Sequence, residues 1–503
     1  MDVNSSGGGG TRVDLPWPAM SPPMRGADAG QGVAEGVARV VGEGAVNTEV
    51  SIFDASDGGA IVHLPLKGRA FRVDDRTGRI IEKIVAGQAL PEDDVSARVL
   101  AALDKMGIIG GEMAPEPTTR PLQEFRPTEA TLIFTESCNL GCTYCYASSS
   151  PQKSPPMSEE IARAAVDLVL QNASETDENL ALIRYIGGGE PTMEWKLLQS
   201  VTDYIRSASQ AMGVRYRIRL ITNGTLLTPD RVAWICDNIQ FVTLSFDILP
   251  ELQAQRSYAD GRSTHGKLVK VIRELVEQGV DFHLRTTVSA QGATRLVDMV
   301  KFVHDNTGAA SVRFEPMAEI GRSVTQGMAK PLQQEFVESF KAAYKLGREL
   351  GIDVTCKMFQ NTLRRSSRFC NTEFSVTPEG IVSGCHRYSK EEHDGYDLFR
   401  IGRYDGSGFQ FDIDRVNALR AIDVHSFSEC TSCMARWNCA GGCLSARVSR
   451  QGISQSGPLC DLTRDLLKFS IEQKVGTTAT TSYCAVARPA AGAPAAGARR
   501  TTI

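Results

Sequence analysis

The chain is expected to be an α/β protein built on a curved parallel sheet with helices outside it. Two observations lead there. From about residue 127, short β-branched runs alternate with longer amphipathic segments, the pattern of successive βα units. Three cysteines, Cys138, Cys142 and Cys145, follow the first of those runs directly. That is the strand end at which βα folds collect their chemistry. A small α+β unit precedes this region and a second cysteine-rich segment follows it.

At 503 residues the chain has room for two or three domains, and 42% hydrophobic residues suffice for ordinary cores. A net charge of −4 gives no reason to expect nucleic-acid binding. Thirteen cysteines, clustered rather than dense, point to metal in a reducing compartment. No signal peptide or apolar membrane span is visible, so the reading is cytoplasmic with no membrane partner. Residues 1–46 and 476–503 are rich in small residues and lack a core-forming period, the composition of disordered tails. Cys484 falls in the second and reads as a bystander.

Residues 47–115 form the first unit. Val50–Phe53, Ala60–Leu66 and Ala70–Val73 are expected as strands, followed by a helix over Thr77–Ala86 and another after Pro91. The barrel-like region spans 126–350. Its strands are expected at Thr131–Thr135, Leu180–Ile186, Tyr216–Ile221, Phe241–Phe246, Asp281–Val288 and Ser311–Glu315. Helices are expected at Ser158–Asn172, Glu194–Met212, Pro229–Asn238, His265–Gln278, Thr294–Asn306 and Gln333–Leu350. Cys236, inside the third of these helices, reads as core. Residues 351–475 carry the second cysteine array.

Cys138, Cys142 and Cys145 are separated by three and then two residues. A loop of this spacing can give one thiolate to each of three irons of a cubane, leaving one iron without a protein ligand from the loop. Such a cluster suits substrate binding rather than plain electron transfer. Structural zinc takes four tetrahedral ligands from paired knuckles and fits the unequal spacing poorly. A disulfide fits worse, because three is odd and the partners are too close.

With Tyr144 before its last cysteine, this loop resembles that of the radical S-adenosylmethionine (SAM) enzymes. The resemblance implies a partial (β/α)6 TIM-like barrel, a [4Fe–4S] cluster and S-adenosyl-L-methionine on its open iron. In that family an electron from the cluster cleaves SAM, and the resulting 5′-deoxyadenosyl radical takes a hydrogen atom from the substrate. The second strand ends in Gly187-Gly188-Gly189-Glu190-Pro191. This matches the family's Gly-Gly-Glu motif and implies that Gly188, Gly189 and Glu190 hold the SAM amine. Asn223, in a Thr-Asn-Gly after the third strand, and Ser245, at the end of the fourth, match further SAM-side positions. Asp247 and Arg256 match less well, because Ile248 stands where the family has glycine and the spacing is one residue shorter; Asp247 also reads as a cap. Arg285 is expected either on the SAM carboxylate or in a salt bridge to a helix. Glu315 faces substrate or nothing.

The second array runs Cys370, Cys385, Cys430, Cys433, Cys439, Cys443 and Cys460. Paired C-x2-C elements also build zinc ribbons, but seven cysteines do not divide into two sites of four. Order and spacing resemble the SPASM extension of peptide-modifying radical SAM enzymes. That resemblance implies two auxiliary [4Fe–4S] clusters, one on Cys370, Cys385 and Cys443 and one on Cys430, Cys433, Cys439 and Cys460. Cys356 either completes the first or is a half-buried strand cysteine. His386 stands where sulfatase-maturing relatives carry a catalytic aspartate, and is a candidate acid–base residue. The 47–115 unit looks like the winged-helix module that binds leader peptides by strand addition; the alternative is a plain capping domain.

The expected function is oxidative modification of a ribosomally made precursor peptide: a C–C, C–S or C–O crosslink, or desaturation, with flavodoxin or ferredoxin as electron donor. Oxidation of a sulfatase-like protein or a small molecule is the alternative within the same chemistry. A zinc-stabilised peptide-binding scaffold without catalysis is the alternative from another class.

Overall fold

Asp74 and Asp93 start the two helices of the N-terminal unit, each accepting a hydrogen bond from the backbone N–H three residues on, from Thr77 and Ser96. Those helices, Asp75–Val85 and Asp94–Lys105, pack Ile80, Ile84, Val99 and Leu103 against Val62, Leu64 and Phe71 of a three-stranded antiparallel sheet. The sheet runs β1 (Ser51–Asp54), β2 (Ala60–Leu64), β3 (Arg69–Val73) in that spatial order. The turn between β1 and β2 requires glycine at 59, where φ is +75° and a Cβ would lie 2.5 Å from the Val73 carbonyl oxygen. The expected second strand stops at Leu64, because Pro65–Lys67 closes a 3-10 turn. This computed structural model describes residues 46–151, 155–361, 364–449 and 451–475; the expected tails, apart from residue 46, and Cys484 lie outside them.

His63, in the middle of β2, is 1% exposed, and its Nδ1 has no hydrogen-bond partner. Burial pulls its pKa down to about 4. Between that value and its ordinary 6.5 the unfolded chain binds a proton that the folded chain refuses. The unit is therefore expected to keep this stability above pH 6.5 and to lose about 3 kcal/mol of it as pH falls toward 4. Thermal melts at pH 5 and 7.5 should show the difference in wild type and lose most of it in His63→Leu.

The main sheet is built from β4 (Glu129–Leu132), β5 (Leu180–Tyr185), β6 (Arg215–Thr222), β7 (Phe241–Ser245), β8 (Phe282–Val288) and β9 (Ser311–Pro316), each parallel to the next. Helices Glu159–Ser174, Trp195–Met212, Pro229–Asn238, His265–Glu277 and Leu296–Asn306 connect them. On β5, Ala181, Ile183 and Tyr185 are buried and join the core with Val166, Leu170, Val201 and Ile205 of the covering helices. Alternation therefore turns Leu182 and Arg184 to the opposite, inner face. This is the mixed α/β architecture expected, a parallel-rich sheet with helices on its outer side.

The sheet is larger than the six strands expected. After the helix Gln333–Leu350, β10 (Asp353–Thr355) adds parallel to β9. At the other edge β11 (Ser375–Val376) adds parallel to β4, and β12 (Ile381–Ser383), β13 (Arg400–Tyr404) and β14 (Phe409–Phe411) continue antiparallel. An open parallel sheet leaves unpaired backbone groups on both edges, and segments beyond residue 350 cover both. The outer face of the N-terminal sheet is covered too: Ile61 and Ala70 pack on Met434, Ala435, Leu467 and Ile471. Glu49, fully buried, accepts from Trp437 Nε1 at 2.7 Å and Arg436 Nη1 at 3.3 Å. Among the described residues no helix is long and apolar enough to cross a membrane.

Candidate active site

The three-cysteine loop leaves β4 and is held by backbone hydrogen bonds as well as by its own side chains Asn139 and Tyr144. Cys138 N–H donates to Ser150 O at 2.9 Å, Gly141 N–H to Ser257 O at 3.0 Å and Thr143 N–H to Gln255 O at 3.0 Å. Arg322 donates from its backbone to Cys145 O at 2.9 Å and from its guanidinium to Cys142 O at 2.7 Å. The turn after β5 zips onto the residues just before the loop, Gly189 N–H to Thr135 O and Glu190 N–H to Ser137 O, both 2.9 Å. A Cβ on Gly189 would lie 1.9 Å from the Ser137 oxygen, and one on Gly188 3.2 Å from Glu136 Cγ. Gly189 is thus required by the contact between two loops, a reason the glycine run alone does not disclose.

Cys138, Cys142 and Cys145 line one cavity of about 270 Å³ with Gly188, Gly189, Glu190, Asn223, Ser245, Arg256 and Arg285. Glu315 lines it as well. Glu190 is 2% exposed; Oε1 accepts from Thr192 N–H, Thr192 Oγ1 and Thr222 Oγ1, and Oε2 from Asn223 N–H at 2.7 Å. Burial raises its pKa, and these four donors oppose the rise. Asn223 Nδ2 reaches Asn139 Oδ1 at 3.0 Å and Cys138 Sγ at 3.8 Å. Burial, with the Glu190 charge adding to it, pushes the Cys138 thiol up to about 12. A bare thiolate is therefore costly there, and coordination to a cation removes that cost.

Four expectations change. Asp247 does not line the cavity; it lies behind it, accepting from the Tyr144 hydroxyl and from Thr287 N–H at 3.2 Å, while Arg256 Nη1 donates to the Tyr144 oxygen at 2.9 Å. It fixes the aromatic residue inside the cluster loop rather than a cofactor. Cys356 is not a half-buried mid-strand residue. It is 1% exposed, its Sγ accepts from Phe359 N–H, and it caps the short helix Lys357–Gln360, with Glu315 and Arg313 as its charged neighbours. The His386 ring does not line the cavity either. It is held by Glu373 through Nδ1 at 2.9 Å and packs edge-on against Tyr146, which does line the cavity. Cys236, read as core, is exposed and donates to Gln278 O. Ile248 holds the position of the missing glycine at φ +65° with its side chain fully buried, a strain that its packing must over-determine.

The array cysteines fall into two neighbourhoods. Cys370 and Cys385 each feel the charge of Cys443, and Cys443 also lines the cavity. Cys439 feels Cys433, Cys460 and Cys430. Among the described residues the only three donor atoms within 4.8 Å of one another belong to Glu373, Cys385 and His386. The loop cysteines and the array groups are therefore spread more widely than the roughly 3.8 Å sulfur separation that tetrahedral zinc at 2.3 Å imposes. Wider spacing fits ligands on separate irons of a cubane, so the donor set fits the cluster expected. Sequence reasoning missed Glu373, Arg387 and Lys357. Arg387 stands two places after Cys385, the only signal that marks any of them.

Comparison with known proteins gives the same placement for the central region. The sequence matches the radical SAM superfamily over residues 132–303. This stretch is a radical SAM domain. Such a domain implies SAM and a [4Fe–4S] cluster, and the cysteine loop and the Glu190 turn lie at its strand ends. The antilisterial bacteriocin subtilosin biosynthesis protein AlbA of Bacillus subtilis is 25% identical over 41% of this chain and 43% of its own. The sporulation killing factor maturation protein SkfB of the same organism is 26% identical over 46% of this chain and 53% of its own. The chain thus spans about half the length of these two relatives. The structure of native anSMEcpe with bound AdoMet and Cp18Cys peptide shares the fold at TM-score 0.57 and 19% identity, over 69% of this chain and 99% of its own.

Proposed function

We propose that this chain is a radical SAM peptide maturase that installs an oxidative modification in a ribosomally made precursor. The observation that carries the reading is that one cavity is lined both by Cys138, Cys142 and Cys145 and by Cys443 of the array. A substrate lying in it is next to the radical source and to an electron acceptor at once. When bound, the loop cluster and SAM supply a 5′-deoxyadenosyl radical that removes a hydrogen atom from carbon, and the auxiliary clusters take up the remaining electron. The chain's own residues then do three things. Glu190, whose Oε2 accepts from Asn223 N–H, would accept from the SAM ammonium. Tyr144, locked by Asp247 and Arg256, keeps the loop from shifting. Ser245 and Asn223 line the cavity beside them and orient the bound cofactor.

The N-terminal unit is read as the precursor's docking site. Its spatial order leaves β1 and β3 as the edge strands of a small sheet, the geometry of strand addition by an extended leader. Holding the leader there cuts the entropy lost in presenting a flexible core to the cavity. Flavodoxin or ferredoxin is the proposed reductant. The bond formed, a C–C, C–S or C–O crosslink or a desaturation, is read from the product: each removes a hydrogen pair, and mass measurement after co-expression with a precursor detects it.

Anaerobic reconstitution should give about twelve irons per chain for three four-iron clusters. In the triple variant Cys138→Ala, Cys142→Ala, Cys145→Ala the count should fall to about eight and SAM cleavage should vanish. Retained cleavage in that variant sinks the assignment. Stoichiometric zinc with little iron would instead favour the scaffold reading.

A further inference from the structure

The segment after β12 grips the cysteine array from two consecutive residues. Tyr388, its ring stacked on Phe399 at 4.4 Å, donates from its hydroxyl to Ser445 O at 3.0 Å. Arg387 donates from Nη1 to Ser445 Oγ at 3.1 Å, and its guanidinium lies 5.9 Å from the centre of the Tyr146 ring. Ser445 is 2% exposed and stands in the 3-10 turn Leu444–Ala446, which Cys443 opens. Its Oγ also lies 3.1 Å from Cys443 Sγ. The three groups thus form a chain from Arg387 to Ser445 to Cys443. A guanidinium only donates, so the serine oxygen accepts from it and keeps its own proton for the sulfur. Arg387 and Cys443 both line the reaction cavity, and Cys385 stands two residues before Arg387. Burial works against the Arg387 charge, and negative charge on Cys443 and Cys385 outweighs it, so its pKa rises above that of an ordinary arginine.

We propose that Ser445, oriented by Arg387, hydrogen-bonds the Cys443 thiolate and raises the reduction potential of the first auxiliary cluster, making that cluster the better electron acceptor. The proposal rests on the peptide-maturase reading and adds to it two residues that direct the electron. Hydrogen bonds to ligating sulfurs and the net charge around them are among the levers that set an iron–sulfur potential. Reduction adds negative charge to the cluster. A donor on the thiolate and a cation behind it therefore stabilise the reduced form more than the oxidised one. The step they favour moves one electron: the substrate radical is oxidised, losing that electron to the cluster and a proton to water as its new bond closes. Neither residue touches the reacting atoms. Both are positioning residues that act through Cys443.

Redox titration followed by EPR on the anaerobically reconstituted full-length chain tests this. The Cys138→Ala, Cys142→Ala, Cys145→Ala background removes the loop cluster and should hold about eight irons, reduced as two components. Ser445→Ala should lower the potential of one component by about 59 mV, a tenfold loss in its one-electron reduction constant, and leave the other in place. Arg387→Gln should shift the same component in the same direction. Ser445→Thr keeps the hydroxyl and should stay near the background value. Ser449→Ala, at an exposed position of the same segment, should move neither component. Unmoved potentials in Ser445→Ala with its iron retained, or an equal shift in Ser445→Thr, would overturn the proposal. Where Ser445→Ala loses iron, Arg387→Gln decides, and an unmoved potential there overturns it as well. Iron content and SAM cleavage keep the two readings apart. A wild-type preparation without cleavage, or a background without array iron, counts against the maturase and the tuned cluster together, whereas retained iron with unmoved potentials counts against this hydrogen bond alone.

Discussion

Gly189→Ala is expected to reduce SAM cleavage by at least about 100-fold, whereas Gly188→Ala should stay within about tenfold of wild type. The difference lies in what each new methyl group meets. At 189 it would lie 1.9 Å from the Ser137 oxygen and 2.6 Å from its carbonyl carbon, both backbone atoms immediately before Cys138. Neither can rotate aside, so the cysteine loop must move and the hydrogen bonds from Gly189 to Thr135 and from Glu190 to Ser137 must break. At 188 the nearest atom is Cγ of Glu136 at 3.2 Å, a side chain that can give by a few tenths of an ångström. Displacements near 1 Å cost on the order of 100-fold when reacting groups must be aligned. Iron content and SAM cleavage measured side by side would show whether the loop has lost its cluster or only its register. Equal behaviour of the two variants would remove the loop contact as the reason for the glycine.

Glu49→Ala should be the most destabilising single change in the N-terminal unit, at about 3–5 kcal/mol, because it breaks a buried ion pair from one side. Glu49 is fully buried and holds both Trp437 Nε1 and the Arg436 guanidinium, whose side chain is 7% exposed. Arg436 retains His425 Nδ1 at 3.0 Å and Glu116 at 3.9 Å, weaker compensation than the carboxylate it loses. The segment affected lies between Cys433 and Cys439. Chemical denaturation should therefore show the loss in midpoint together with fewer irons retained by the array. Glu49→Gln keeps an acceptor for Trp437 and should cost less. An alanine variant with wild-type stability would mean that the packing of Ile61 and Ala70 on Met434, Ala435, Leu467 and Ile471 carries this contact without the ion pair.

Much of this protein was legible in one dimension because its chemistry is local. A three-cysteine chelating loop is a matter of spacing along the chain, and so is the alternation of β-branched and amphipathic runs that announces a parallel sheet. The strands from Leu180 to Pro316 fall close to where their patterns put them, and Cys138, Cys142, Cys145, Glu190, Asn223 and Ser245 meet on one cavity as their strand ends imply. Residues whose role depends on which way a side chain points across the sheet were not legible. Asp247 reads as a cofactor contact until its carboxylate is found behind Tyr144. Cys356 reads as a strand residue until its backbone turns into a helix cap. His386 stands beside Cys385 in sequence, yet its Nδ1 is taken by Glu373, thirteen positions earlier.

The sequence by itself therefore determined the metal-binding loop, the βα order and the grouping of candidate ligands, because each rests on short-range spacing. The tertiary structure alone decided the extension of the sheet at both edges and the seating of the N-terminal unit on the Cys433–Cys439 segment. Those depend on contacts between residues hundreds of positions apart, such as Glu49 with Trp437, and on the strand pairing that sets β11 beside β4. Spacing along a chain carries no information about either until burial and backbone pairing have fixed the directions of the side chains.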